Sequence, residues 1–579
     1  MDAKTLFGCA LALAAAISCR PMPAEGKVVA ERIKVIGDVT GIVEDSMTVS
    51  PDGSRLAIVV ESVPSKTRRV LVDGRHVGGI YDEIGRGTPI FSWDSKRVAF
   101  VGRRRKQCFV VVDDKVSDAY AIESNTTNGW PVAALVFSPD SKHVAYQVHQ
   151  KKAATLVIDG KLYGPYDDVA VSEGKRVWGL WEFMFSPDST SFAFRAQKGR
   201  RMLACAGTLV PSPYWKQQFI AAGPFDAVGR GTPVWTSGAH RISSGFAFIV
   251  RQGGSENVLI LPLPGGKTGP AYDAIVRNSV VSLGGRNLAY VARKNSKSVA
   301  VLRGREGKAY DDLSKLIING ERTAYAAAVG NEVCMVIDGR EGPRYEGVRY
   351  PGTVFGPQGK RVAYAVRKAA KSAVRIDGRE SKWYDRVDYK SLTFSPDGTK
   401  VAFAANSKTG AKVVLDGVEG PPYSEVSHLA FNADGGRFAY AARLDLEHWL
   451  VLDGKKLGPY DRVLGHTFTF SPNGEHYACV VMRRGNCHVL SDGALGPQCD
   501  RVMSRLAFDA RGDRLAYVVR FVHEGRLKYA VVYNRKLGRK FDAVWLPDGG
   551  NLVMDDKGTV RFLAVKNRLA QLWSVGPGN

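Results

Sequence analysis

The chain has 579 residues, 45% of them hydrophobic and 24% charged, and its 81 Lys and Arg against 57 Asp and Glu give a formal net charge of +24. The length exceeds one compact domain, and beyond Met1–Ser18 no segment is apolar enough to cross a bilayer, which excludes a helical membrane protein. So large a positive excess directs attention to anionic partners.

In chain order, Met1–Ser18 reads as an export signal: a lone Lys4, an apolar run from Leu6 to Ile17, then small residues. Ala16-Ile17-Ser18-Cys19 resembles a lipoprotein signal, in which Cys19 becomes the lipidated first residue. The other reading is simple cleavage and release, and both leave the protein outside the cytoplasm. The stretch Arg32–Asp45 precedes the first full repeat and is placed to supply a closing strand to an N-terminal ring, removing an exposed sheet edge.

From Met47 onward one phrase recurs. Its best-preserved copy is Leu392–Val426, and the same order of parts returns at Leu135–Val169, Leu429–Val463, Thr467–Val502 and Leu506–Val544. In the copy beginning at Leu429, a short apolar run leads into the turn Asn432-Ala433-Asp434-Gly435, which elsewhere reads Ser-Pro-Asp-Gly, as at Ser395–Gly398. Proline pre-sets φ for such a turn and glycine accepts the positive φ that follows. Phe438–Ala441 is the second strand and Trp449–Leu452 the third. Asp453-Gly454 suits a tight hairpin, and the fourth strand ends at Tyr460-Asp461. Four strands joined by three hairpins make one propeller blade, and no stretch carries the 3.6-residue periodicity of a long helix.

The turns number about thirteen, with a period of roughly 37 to 50 residues. Single propellers commonly hold about four to eight blades, so the expected fold is all-β: two consecutive β-propellers. Spacing is looser before Leu313, with an insertion around Pro211–Phe219, and tighter afterwards. The expected organisation is a signal over 1–19, about six blades over 28–313 and about seven over 314–579.

The positive charge gathers at the hairpin tips between second and third strands. Arg103, Arg104, Arg105 and Lys106 form one group; Arg200 and Arg201, Arg293 and Lys294, Arg367 and Lys368, and Arg483 and Arg484 form others. These tips leave one face of a propeller, while the Ser-Pro-Asp-Gly and Asp-Gly turns with their aspartates leave the opposite face. The expected surface is therefore a basic face for a lipid head group, an acidic polysaccharide or an acidic protein, with solvation alone as the bland reading. Nucleic acid is not expected, because an exported protein rarely meets it and the tips lack interleaved aromatics.

Two identical loops, Gly85-Arg86-Gly87-Thr88-Pro89 and Gly229-Arg230-Gly231-Thr232-Pro233, follow fourth strands on that face. Arg86 and Arg230 could meet an anion beside glycine amides; an inherited turn is the simpler reading. Most cysteines stand alone, as Cys108, Cys205 and Cys334 do. Cys487 and Cys499 flank the Asp492-Gly493 turn, which folds them nearly opposite one another, so they form a candidate disulfide. Zinc-type Cys/His spacing is absent, and neither metal nor cofactor is expected. The Tyr-Asp pair that ends most fourth strands, as at Tyr81-Asp82 and Tyr384-Asp385, repeats too regularly to be catalytic. Its tyrosine is expected to pack between blades and its aspartate to cap backbone amides.

The phrase Phe-Ser-Pro-Asp-Gly followed by Val-Ala-Phe, clearest at Phe394–Gly398, resembles the WD-like propeller repeat of the Tol translocation protein B family. The resemblance spans nearly the whole mature chain and implies the fold, an envelope location and a tendency toward protein binding. A separate α/β domain, which that family carries, is not visible here. No Gly-x-Ser-x-Gly elbow or His-Glu-x-x-His occurs, and Gly266-Lys267-Thr268 has Leu261 where a phosphate loop needs glycine. The expected function is a non-catalytic scaffold of the bacterial envelope, periplasmic or lipid-anchored, that binds a protein or anionic polymer. The alternative is a secreted lyase or glycoside hydrolase acting on an acidic glycan, which requires polar residues that break the blade symmetry at one channel mouth.

Overall fold

The computed structural model describes residues 28–38, 41, 43, 46–52, 54–62, 65–122, 130–150, 153–167, 183–209, 219–229, 233–236, 245–261, 267–276, 278–283, 287–545, 552, 554–555, 557–567 and 569–577. Among these residues the regular elements are all β-strands, and they form thirteen small antiparallel sheets. In chain order, sheets 1 to 7 span 48–81, 83–121, 132–166, 183–225, 227–268, 274–310 and 312–345. Sheets 8 to 12 span 347–380, 386–419, 425–460, 462–495 and 501–537, and sheet 13 holds the C-terminal strands.

Sheets 1 to 12 are built as four-stranded meanders, in several of which an outer or first strand is split in two, and their second and third strands are apolar on both faces because sheets stack against one another. In sheet 10 the second strand, Phe438–Leu444, is buried through Ala442. A small residue followed by an aromatic recurs there: Ala99-Phe100, Ala193-Phe194, Ala402-Phe403, Ala439-Tyr440 and Ala516-Tyr517 are all buried. The alanine lets the neighbouring sheet approach, and the aromatic receives the tyrosine that ends the preceding sheet. Tyr81 meets Phe100 edge-on at 5.8 Å, Tyr166 meets Phe194 at 5.9 Å, and Tyr384 meets Phe403 at 6.1 Å. Each contact is worth about 0.5–1.5 kcal/mol beyond the area it buries.

First strands are interrupted by a bulge, and a hydroxyl repairs the ladder. Thr467 accepts the Val480 N–H at 2.9 Å and donates to the Leu464 carbonyl at 2.7 Å. Ser391 does the same between Ala404 N–H (2.7 Å) and the Asp388 carbonyl (2.6 Å). Ser46, Thr88, Ser279, Ser314 and Ser504 each accept the equivalent amide. Where such a hydroxyl stands, the amide left over by the bulge keeps an acceptor, so the irregularity costs no hydrogen bond there.

The chain divides into two compact units. One comprises Met1–Ser65, Val70–His76 and Gly347–Asn579; the other comprises Lys66–Arg69 and Val77–Glu346. The second holds sheets 2 to 7, and the first holds sheets 8 to 13 together with most of sheet 1. The sequence boundary at 313/314 falls inside sheet 7, between strands Asp312–Leu313 and Ile317–Asn319, which both pair with Arg322–Val329.

The closing strand also differs from expectation. Val28–Asp38 is antiparallel to Leu569–Pro577, from Val28 opposite Pro577 to Asp38 opposite Leu569, and it is the outer strand of sheet 13. It thus belongs to the seven-sheet unit, not to an N-terminal ring. Leu56, Ile58 and Leu71 of sheet 1 pack with Leu563 and Leu572 of sheet 13 in one core cluster, so both chain ends belong to that unit. The insertion at 210–218 lies outside the described residues.

Candidate functional site

The hairpin tips between second and third strands are held by the aspartates of the Tyr-Asp pairs. Asp82 accepts the Arg105 amide at 2.5 Å, Asp273 the Asn295 amide at 2.8 Å, and Asp461 the Gly485 amide at 2.7 Å. The tip residues need left-handed backbone: Arg105 has φ 55°, Asn295 52°, Ala369 48° and Arg484 51°. A carboxylate that caps the tip offsets the strain of non-glycine residues there.

With the backbone so fixed, the tip cations divide into two groups. Arg103 pairs with Glu83 at 2.5 Å and lies over the Trp130 ring. Arg104 donates to the Ile80 carbonyl at 3.1 Å and covers Tyr81 and Phe109. Arg201 pairs with Asp226, and Lys294 pairs with Glu306 at 3.2 Å. These four are committed to the fold. In the six-sheet unit Arg105, Lys106, Arg200 and Arg293 are exposed and make no ion pair with a described residue; in the seven-sheet unit the same holds for Arg367, Lys368, Arg483 and Arg484.

Arg86 is placed differently from the tips. Glu83–Ile84 and Ile90–Phe91 both pair with Val98–Arg104, so Gly85–Pro89 is the bulge of a split first strand and Thr88 is its bridging hydroxyl. Arg86 is exposed on that bulge. Arg230, Cys19 and the whole leader lie outside the described residues.

Turns at the opposite ends of the strands carry acids that are already in use. Asp453 accepts the Phe438 amide at 2.8 Å and pairs with Arg437; Asp113 accepts Val98 and pairs with Arg97; Asp377 accepts Val362 and pairs with Arg361. The aspartates of the Ser-Pro-Asp-Gly turns take hydrogen bonds from the turn itself. Those from Ser395 and Thr399 hold Asp397 down at about 2. Burial raises the Asp416 carboxyl instead, against its bond to the Val401 amide. This face spends its negative charge on bonds within and between sheets.

One constellation escaped sequence reasoning. At the first-strand bulge of sheets 8 to 12 stand Arg349, Lys390, His428, His466 and Arg505, all exposed. The first strands of sheets 8, 9, 10 and 11 run beside one another. His428 and His466 have ring centroids 6.1 Å apart, and His428 packs over Gly465, where a Cβ would come within 2.7 Å of Nδ1. Burial and then the neighbouring His466 lower the His428 pKa, with Glu425 opposing. The bridging hydroxyls recur in sheets 1, 2, 6, 7, 9, 11 and 12, whereas these side chains vary from one sheet to the next. The available signal was a single varying position inside an otherwise repeated frame.

No family model matches the chain, and no curated protein sequence matches it. Among solved structures it is similar to a eukaryotic initiation factor, at 13% identity and TM-score 0.24, over 65% of this chain and 86% of that one. It is also similar to TolB from Acinetobacter baumannii, at 13% identity and TM-score 0.19, over 58% of this chain and 77% of that one.

Proposed function

We propose that this protein is an exported, non-catalytic scaffold of the bacterial cell envelope that binds an acidic polysaccharide through its hairpin-tip face. The observation that supports this reading is the asymmetry in how charge is used. Tip cations such as Arg105, Lys106, Arg483 and Arg484 are exposed with no ion partner among the described residues, while the aspartates of the opposite turns are bonded to arginines and backbone amides. Unpaired cations at repeated positions suit a polymer with regularly spaced carboxylates, and each contact is salt-screened because it sits in water. The test is capture of the purified chain on immobilised polygalacturonate, with neutral dextran as control. Capture that is lost on neutralising Arg105, Lys106, Arg483 and Arg484 supports the proposal; equal retention on dextran refutes it.

A second reading, a lyase acting on an acidic glycan, is favoured by one observation. His428, His466, Lys390 and Arg505 break the symmetry of the repeat on the inner strands, where a carboxylate could be neutralised and a proton removed. Appearance of unsaturated sugar ends from polygalacturonate, absent with His428→Gln, distinguishes it from the scaffold.

A further inference from the structure

Sheet 11 departs from the repeat at one pair of facing positions. The residue that ends the fourth strand is a tyrosine or phenylalanine in sheets 1 to 10 and 12, and where the pairing is regular it sits directly opposite a third-strand residue: Ala154 faces Tyr166, Ala411 faces Tyr423, and Tyr529 faces Phe541. In sheet 11 both positions are cysteine, Cys487 facing Cys499. Each donates its amide to the other's carbonyl, at 3.1 Å and 3.0 Å, so they form a hydrogen-bonded antiparallel pair. The Cys499 thiol lies 3.3 Å from the Cys487 carbonyl, and both residues are buried. Tyr517 of sheet 12 packs in the same core cluster as the two cysteines, and its buried hydroxyl has no hydrogen-bond partner among the described residues.

We infer that Cys487 and Cys499 are a redox-active dithiol that forms a reversible cross-strand disulfide. In a hydrogen-bonded antiparallel pair the Cα atoms stand about 5.5 Å apart, within the span a disulfide requires. The Cβ atoms of such a pair lie nearer to about 5 Å than to the roughly 3.8 Å of a relaxed disulfide, so the bond forms under strain and is readily reduced. Access comes from the edge. After the short strand Ala494–Leu495 the pairing is held by Gly496 N–H to the Val489 carbonyl at 2.8 Å, by His488 Nδ1 to the Gly496 carbonyl at 3.1 Å, by Gln498 to Asn486 at 2.7 Å, and by the cysteine pair itself. Lifting this outer segment exposes both thiols while the second and third strands stay paired.

The oxidant required is a low-molecular-weight disulfide, RS–SR. The Cys487 thiolate attacks one sulfur, the S–S bond breaks and RS⁻ leaves. The Cys499 thiolate then attacks the Cys487 sulfur of the mixed disulfide and expels the second RS⁻. Two electrons pass from the dithiol to the oxidant, and the two thiol protons end on two RSH. Hydrogen bonding from Cys499 lowers the Cys487 thiol, while the same bond and burial raise Cys499, which favours Cys487 as the attacking group. The other described cysteines are poor competitors, since burial pushes Cys108, Cys205 and Cys479 up to about 12.

The test uses the full chain equilibrated with oxidised and reduced glutathione at stepped ratios, alkylated, and digested for mass mapping. The expected result is a peptide linking Cys487 to Cys499 that rises and falls reversibly with the ratio, with Cys108, Cys205, Cys334 and Cys479 remaining thiols. Cys499→Ser should leave a lasting glutathione adduct on Cys487. Cys499→Tyr, which restores the residue of the repeat, should abolish the linkage with the melting transition retained. Alkylatable thiols at both positions under the most oxidising ratio, or linkage of either cysteine elsewhere, would overturn the inference.

Discussion

Arg437 is the place where one side chain ties two sheets together. Its Nε bonds Asp453 at 3.0 Å within sheet 10, and Nη1 donates to the Glu475 carbonyl of sheet 11 at 2.8 Å. The guanidinium also lies 5.7 Å from the Phe470 ring and 5.8 Å from Tyr477. The arginine side chain is 16% exposed and its aspartate 21%. Truncation to alanine removes a charged hydrogen bond worth about 1.5–3 kcal/mol and a cation–π contact worth about 1 kcal/mol. It also strands a half-buried carboxylate, although Asp453 keeps its bond to the Phe438 amide. The terms overlap, and their combined cost is about 3 kcal/mol. Arg361 makes the same ties, to Asp377 and the Thr399 carbonyl, but is 30% exposed with a partner 41% exposed, so Arg361→Ala should cost about half as much. Arg484→Ala, on an exposed tip, should stay within about 0.5 kcal/mol. Urea titration of the three variants, read as midpoint shifts at constant m-value, checks the ranking. If Arg437→Ala costs no more than Arg484→Ala, sheet-to-sheet tying by this arginine is wrong.

Other outcomes follow from the same geometry. Because His428 is held below the usual imidazole pKa, the unfolded chain takes up its proton first; the seven-sheet unit should lose stability as pH falls through about 6.5, and His428→Asn should flatten that limb of a melting-temperature profile. Gly435→Ala should cost about 2 kcal/mol or more: φ is 74°, and a Cβ would sit 2.7 Å from Asp397 Oδ1. Gly485→Ala, at φ 75° with open space around it, should cost about 1 kcal/mol, so calorimetry of the two separates backbone strain from packing. Thr467→Val should leave the Val480 amide without its acceptor and cost about 1–3 kcal/mol, whereas Thr467→Ser should be nearly neutral by denaturant midpoint.

The repeat carried most of the architecture in plain view. Ser-Pro-Asp-Gly and Asp-Gly turns bracket strands such as Phe438–Leu444 and Glu447–Leu452, and local turn chemistry sets their order. The partner of Val28–Asp38 was not legible, because its pairing with Leu569–Pro577 joins opposite ends of the sequence and no local signal names a distant edge. The same holds for the unit boundary: sheet 7 and sheet 8 share one repeat pattern, and only packing separates them. The positive tips could be read from composition, but which cations are spent could not. Arg103 is neutralised by Glu83 of a first strand and Lys294 by Glu306 of a fourth, pairings that exist only once register is known. His428 and His466 lie far apart in sequence and meet because two inner strands run side by side. The Tyr-Asp pair needed no tertiary knowledge, since its regular recurrence already marked it as structural.

A titration of polygalacturonate binding against salt concentration, run on the wild-type chain and on one with Arg105, Lys106, Arg483 and Arg484 changed to glutamine, bears hardest on the proposed surface. Affinity that falls steeply with added salt, with both the affinity and its salt dependence reduced in the variant, is the outcome expected if the tips are the working face. Identical curves for the two proteins would contradict it and would leave the tip charge as solvation alone.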